Sequence, residues 1–480
     1  MARGGEDEKM TTATDFDLVV SGKVVLTDRI LDEGWVAVRD GKIAAIGIGG
    51  IGKAPGAKER HDFKGCLVLP GAIDSQTHSK SQKDQEDFIW STRSAAAGGV
   101  TTIVDMPYDD GLLICTAERL KQKADEAKAQ ARVDFALYGT SHPNDGASHI
   151  DEMVEAGAAA FKFSTFGTHP ERFPRIPPHT MYECFSAIAK HGLIGGVHNE
   201  NDEAVRAYVA RVKEQGITDY TAQGLSRPPL TETLAIAEVY EIGVASGCSA
   251  HIVHCSLERG YELCQSYRTQ GFDTTIEACI HYLVLDEENH VRKLVGKGKV
   301  NPPIRPRKEV EALWQHLAKG NITVVSTDHV SWSEDRKNKP DMLENSSGAP
   351  GLEVLYALLL KGLEERGLSL TWAPRLLAAN PARLFRIDHL KGALELGRDA
   401  DIAVLKPERH KYHAGTSGHN VISWSPYEGM ELPYKIVATF LRGREVFDGG
   451  KQVAEPGTGE FIRPRTASQI MSAERAKQPV

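Results

Sequence analysis

The stretch "GAIDSQTHSK", residues 71–80, closes an apolar run with a pattern suited to holding a cation. Residues two apart on a strand point the same way, so an Asp-x-His-x-His arrangement presents two imidazoles from one strand end. Here the first of those positions is Gln76 and the second is His78. Glutamine offers a neutral carbonyl oxygen, a poorer donor than imidazole for zinc. Four more residues able to ligate a metal or move a proton end apolar, β-branched runs. They are Lys162 in "AAFKFST", His198 in "GGVHNEN", His254 in "HIVHCS" and Asp328 in "VVSTDH". Singly, each has a bland explanation. A histidine ending a strand is commonly a hydrogen-bonded structural residue, and Asp328 suits a helix N-cap. Lys162, between Phe161 and Phe163, can run its stem through apolar surroundings to water. As an ordered set the five are far more specific than any member. His251 reads as structural, and His329 as a neighbour that supports the ligands.

The elements that must position these residues alternate. "VTTIVDM", "VDFALYG", "AAFKFST", "LIGGVHN", "AHIVHCS", "FDTTIEAC" and "ITVVSTDH" read as strands buried on both faces. Between them lie amphipathic segments such as "TAERLKQKADEAKAQA" and "EVEALWQHLAKG". This alternation predicts a parallel sheet wound by helices, an α/β fold, and roughly eight repeats suit a (β/α)8 TIM barrel. Barrel enzymes place their active sites at the C-terminal strand ends, where the five residues fall. The two ends of the chain read differently, as short strands with Gly and Asp-Gly turns. They predict one composite β-sandwich domain, from residues 12–68 and 392–464, beside a barrel over 69–391. Residues 465–480 read as a polar tail.

Composition narrows the class. Of 480 residues, 25% are charged and 41% hydrophobic, with a formal charge of -8, which gives no reason to expect nucleic acid as a partner. No apolar run approaches the roughly 18 residues of a membrane helix, and the polar, acidic N-terminus lacks an apolar signal-peptide core. Seven scattered cysteines without CxxC spacing point to reduced, structural thiols and a cytoplasmic location.

The order of the motifs resembles the cyclic amidohydrolases of the amidohydrolase superfamily: hydantoinases, dihydropyrimidinases, allantoinases and dihydroorotases. The resemblance runs from "DLVVSGKVVL" through "LPGAIDSQTH", "AAAGGVTTIVDMP", "VNPPIR" and "STDH" to "KGALELGRDADIAVLKP" and "FLRGREVFDGG". It implies a barrel with a β-sandwich built from both termini, and ring opening of a small cyclic amide, imide or ureide by metal-activated water. It implies that Lys162 is carbamylated, giving an anion whose two oxygens bridge cations where an ammonium would repel them. It further implies one or two divalent metals per chain, zinc with manganese as the alternative. His198 and His254 would hold the more buried one; His78 and Asp328, with Gln76 in the place of a histidine, would serve the other. Asp328 would be the general base and then the general acid. By the same analogy the chain forms a dimer or tetramer of itself.

Two departures from the family pattern stand out. Gln76 replaces its first histidine, which weakens one metal position. Phe166 and Gly167 stand where hydantoinases carry an oxyanion-binding tyrosine; losing such a donor costs on the order of 3 kcal/mol unless replaced. His169, or a metal ion alone, is the candidate replacement, and Asn301 and Ser347 fall in the family's substrate-binding segments. The rival readings are a non-catalytic scaffold of the dihydropyrimidinase-like type and a lactam or linear-amide hydrolase.

Overall fold

The computed structural model describes residues 16–83, 85–169, 171–450, 453–465 and 469. The chain opens with β1 (Phe16–Val25), β2 (Ile30–Arg39), β3 (Lys42–Ile48) and the long β4 (Ala57–Pro70). A barrel follows: β5 (Ala72–Thr77), β6 (Val100–Asp105), a small hairpin β7 (Tyr108–Asp109) and β8 (Leu112–Leu113), then β9 (Asp134–Gly139), β10 (Ala160–Ser164), β11 (Ile194–His198), β12 (Ser249–Ile252), β13 (Thr274–Cys279) and β14 (Val324–Ser326). The last strands are β15 (Ile402–Lys411), β16 (Glu431–Leu441) and β17 (Arg444–Phe447).

Eight strands lie in the order β5-β6-β9-β10-β11-β12-β13-β14 and pair in parallel. Every residue of β5, β6, β9, β10 and β11 is buried, as strands packed between an inner core and a helical jacket require. The sheet returns on itself where "DSQTH", residues 74–78, meets the segment after β14. The His329 amide donates to the Gln76 carbonyl at 3.3 Å, the His78 amide donates to the His329 carbonyl at 2.9 Å, and the Thr327 amide donates to Asp74 at 2.8 Å. Helices Ala117–Gln130, Pro178–His191, Pro229–Ser246 and Arg307–Ala318 wrap the outside. Their ends follow local rules: Thr116 accepts from the Arg119 amide, and Pro178 and Pro229 occupy first helical positions.

The terminal strands join one seven-stranded sheet, ordered β17-β16-β15-β4-β1-β2-β3. Val36, Val38 and Ile43 from one end of that order share a core with Ala438 and Phe440 from the other. The composite domain expected from both chain ends is therefore present, its strands closing over a core of their own. Most of the 465–480 stretch, and residues 12–15, lie outside the described residues.

Beneath the barrel the two parts are tied by charge. Asp134, the first residue of β9, and Asp399 and Asp401, just before β15, bring three carboxylates together. The buried Lys391 ammonium fills the space between them, at 2.5, 2.8 and 2.8 Å from Asp134, Asp399 and Asp401. Lys42 and Arg442 supply the remaining positive charge. The group is a closed ion-pair network, not a vacant cation site. All seven cysteines are free and buried, and among the described residues no helix is long and apolar enough to cross a membrane.

Candidate active site

The barrel mouth holds a cavity of about 1280 Å³, and Gln76, His78, Lys162, His198, His254 and Asp328 all line it. Their placement follows from strand geometry. Gln76 lies near the end of β5 and Lys162 within β10, while His198 is the last residue of β11. His254 and Asp328 fall two residues beyond β12 and β14 and adopt left-handed backbone conformations, with φ of 41° and 49°. Such conformations cost about 1–3 kcal/mol for a side-chain-bearing residue and persist where the surrounding structure enforces them, characteristically at functional sites.

The imidazoles of His198 and His254 face each other, Nδ1 to Nε2, at 3.0 Å. On its far side, His198 Nε2 lies 2.8 Å from Glu200 Oε2, and Glu200 is fully buried. The carboxylate accepts a hydrogen bond from Nε2–H, which keeps the ring proton there and leaves the Nδ1 lone pair facing His254. Positive charge around Glu200 outweighs the burial that opposes its ionisation: Arg227 and His198 hold its carboxyl below the ordinary range. Burial, with Lys162 and His198 alongside, pushes His254 well below the usual imidazole value, so it is neutral and able to donate a lone pair.

Asp328 receives two bonds or close approaches from the altered motif. Gln76 Nε2 donates to its Oδ1 at 2.8 Å, and His78 Nε2 lies 3.4 Å from the same oxygen. Burial disfavours the charged form, but the His78 hydrogen bond and the charges of His78, His281 and Lys162 prevail, so Asp328 is a carboxylate. Lys162 is almost wholly buried, and desolvation lowers its amine to about 8 against the opposing charge of Asp328 and Glu277. A sizeable neutral fraction near neutral pH is the form of an amine that reacts as a nucleophile.

The arrangement fits a small divalent cation. Two imidazole nitrogens converge, an anionic oxygen and a reactive amine share their cavity, and His254 Nδ1 and Gln76 Oε1 are buried without hydrogen-bond partners. Nitrogen and oxygen donors of this kind suit zinc or manganese.

The remaining expected residues lie around the same cavity in different roles. Asn301 Oδ1 is taken by Gln223 Nε2 at 2.5 Å and Arg227 Nε at 3.0 Å, so that side-chain oxygen is already engaged within the protein. The Ser347 carbonyl accepts from the Trp332 indole at 2.7 Å. His169 stands exposed at the rim, where its Nδ1 accepts the amides of Glu171 and Arg172 and so caps its own loop. Phe166 forms a wall beside His198, with the Arg227 guanidinium 4.9 Å from its ring. His329 is held between Glu86 at 2.8 Å and the Gly351 amide at 3.1 Å. His251 bonds Thr275 within the barrel. Sequence reasoning missed Glu200, Glu277, whose Oε1 accepts the His254 amide, and His281. Of these only Glu200 carried a signal, since it stands two residues past His198 and so on the same side of an extended chain.

A barrel whose strand ends gather histidines, a buried lysine and a carboxylate around one cavity is the framework of a hydrolase. The amidohydrolase family model matches residues 67–446, and the chain belongs to that family. It is 37% identical to an allantoinase of Rubrobacter xylanophilus over 455 residues, covering 94% of this chain and 98% of that one. It is 30% identical to an L-hydantoinase of Paenarthrobacter aurescens, covering 94% and 98%. Among solved structures, the L-hydantoinase from Arthrobacter aurescens superposes with a TM-score of 0.88 at 30% identity, covering 93% of this chain and all of that one.

Proposed function

We propose that the chain hydrolyses the C–N bond of a small cyclic amide, imide or ureide, opening the ring. The observation that carries this reading is the meeting of His198, His254, Lys162, Asp328, His78 and Gln76 in one cavity at the C-terminal end of the barrel. Relatives named allantoinase and hydantoinase make allantoin and hydantoins the first compounds to test.

His198 and His254 are the residues that would hold the more buried divalent metal, zinc or manganese, together with Lys162 once its amine has added to carbon dioxide and lost a proton. His78 and Asp328, with Gln76 the weaker donor, would serve a second position. When bound, the metal supplies polarisation of the scissile carbonyl and acidification of water. Asp328 accepts the proton of the attacking water at a carboxylate oxygen and returns it to the leaving ring nitrogen. His78 and Gln76 aim that carboxylate, and Glu200 sets the tautomer of His198. Phe166 and Phe173 exclude water along one wall. An intracellular homo-oligomer, dimer or tetramer, belongs to the same reading.

The scaffold alternative is disfavoured because a buried lysine and a carboxylate on a strained backbone have no evident structural purpose. The test is Asp328→Asn. General acid–base catalysis contributes about 10²- to 10⁴-fold, so turnover on any accepted ring should fall by that factor with folding retained. Full turnover in the variant removes the assignment of Asp328. Elemental analysis should find at least one transition metal per chain, and none after loading with zinc or manganese and bicarbonate supports the scaffold.

A further inference from the structure

One wall of the cavity is cationic in a way the hydrolytic machinery does not use. Arg172, on the loop after β10, and Arg336, on the loop after β14, both line it and are both half-buried. Their guanidinium carbons lie 5.8 and 4.0 Å from the ring of one buried tryptophan, Trp332. That indole is fixed: its Nε1 donates to the Ser347 carbonyl, and its own carbonyl accepts from Trp424 at 2.9 Å. Each arginine spends only Nε on the protein, Arg172 on the Tyr108 carbonyl at 3.3 Å and Arg336 on Ser346 Oγ at 2.9 Å. Among the described residues, the terminal nitrogens of both make no hydrogen bond and no ion pair. Asp110 and Asp335 act on Arg172 and Arg336 through charge, but neither comes within ion-pairing distance.

Three other sheltered arginines are neutralised: Arg227 approaches Glu200 at 3.7 Å, Arg305 pairs with Glu232 at 3.0 Å and Arg366 with Glu311 at 2.9 Å. Two like charges gathered at one aromatic ring repel each other and lose hydration, and cation–π attraction returns only part of that cost. An anion between them would relieve both, and guanidinium groups match the planar geometry of a carboxylate.

We propose that the cavity is built for a ring that carries a carboxylate substituent, with Arg172 and Arg336 receiving the carboxylate while the ring amide reaches the strand-end histidines and Asp328. The proposal rests on the ring-opening reading above and narrows its substrate class.

The test compares 5-(2-carboxyethyl)hydantoin with its uncharged isostere 5-(2-carbamoylethyl)hydantoin, each as both enantiomers, on the metal-loaded enzyme. The expected kcat/KM favours the carboxylate at least tenfold. That ratio should drop tenfold or more in Arg172→Gln and in Arg336→Gln, chiefly through KM, and recover in part in Arg172→Lys. A ratio near one in the native enzyme, or one that neither glutamine variant moves, overturns the proposal. If neither hydantoin is hydrolysed, calorimetric binding of the same pair separates the two claims. A carboxylate bound tenfold more tightly, with the difference lost in Arg172→Gln, keeps the anion site and discards ring hydrolysis of hydantoins. Equal affinities discard the anion site.

Discussion

Replacing Glu200 by glutamine tests how the histidine pair is prepared for a metal. The native carboxylate lies 2.8 Å from His198 Nε2 and is sealed from solvent. Glutamine keeps the shape and an acceptor oxygen but removes the charge that fixes the ring proton. It also deprives Arg227, 3.7 Å away, of its counter-charge. A hydrogen bond to a charged group contributes about 1.5–3 kcal/mol. Groups that orient metal-bound histidines typically change metal affinity by about 10- to 100-fold, or about 1.4–2.8 kcal/mol, so the two routes agree. Competition with a chromogenic chelator reads the affinity directly, and a melt without metal reports folding separately. Glu200→Gln should release metal at a ten- to hundredfold lower chelator excess. Retention within twofold of the native chain, with an unchanged melt, would falsify the claim that Glu200 sets the tautomer of His198.

Gln76→His should raise the metal content per chain on elemental analysis, because imidazole replaces an amide that now donates to Asp328. Unchanged stoichiometry would mean the second position is missing for reasons other than residue 76. The buried Lys337 Nζ donates to the carbonyls of Lys299, Ser346 and Gly348, pinning a loop of the cavity wall. Lys337→Met leaves those carbonyls unpaired and should cost about 1–3 kcal/mol or more in chemical denaturation; a neutral result would show that the loop is held elsewhere. Burial raises Glu353 to about 7 from 4.5, despite its bonds from Tyr412 and Ser417. Between those values the unfolded chain has lost a proton that the folded chain keeps, so stability falls as pH rises, by about 3 kcal/mol in all. Melting temperatures at pH 5 and pH 8 should therefore differ less in Glu353→Gln than in the native chain, and an identical difference would contradict the shift.

The barrel was legible because its strands are short, apolar and β-branched and recur with helices between them, and five candidate ligands sit where such strands end. The shared domain of the two chain ends was also legible in outline. Its form was not, because nothing local tells whether β15 continues the sheet beside β4 or starts a second layer. Glu200 offered only its spacing from His198 as a signal; its importance lies in burial, which a glutamate in a polar stretch does not announce. Arg172 and Arg336 were invisible for another reason. They lie on separate loops more than a hundred and sixty positions apart in the chain and meet only across Trp332.

The Lys391 knot has a consequence for how the molecule is made. Asp134 emerges early, and its neutralising lysine is translated 257 positions later. Until that lysine arrives, the base of β9 carries a charge with nowhere dry to go, and β1 to β3 lack the far edge on which their sheet closes. The sheet that the first strands begin is complete only with the strands made last. Shortening the C-terminal end would therefore unsettle the beginning of the protein as much as its end.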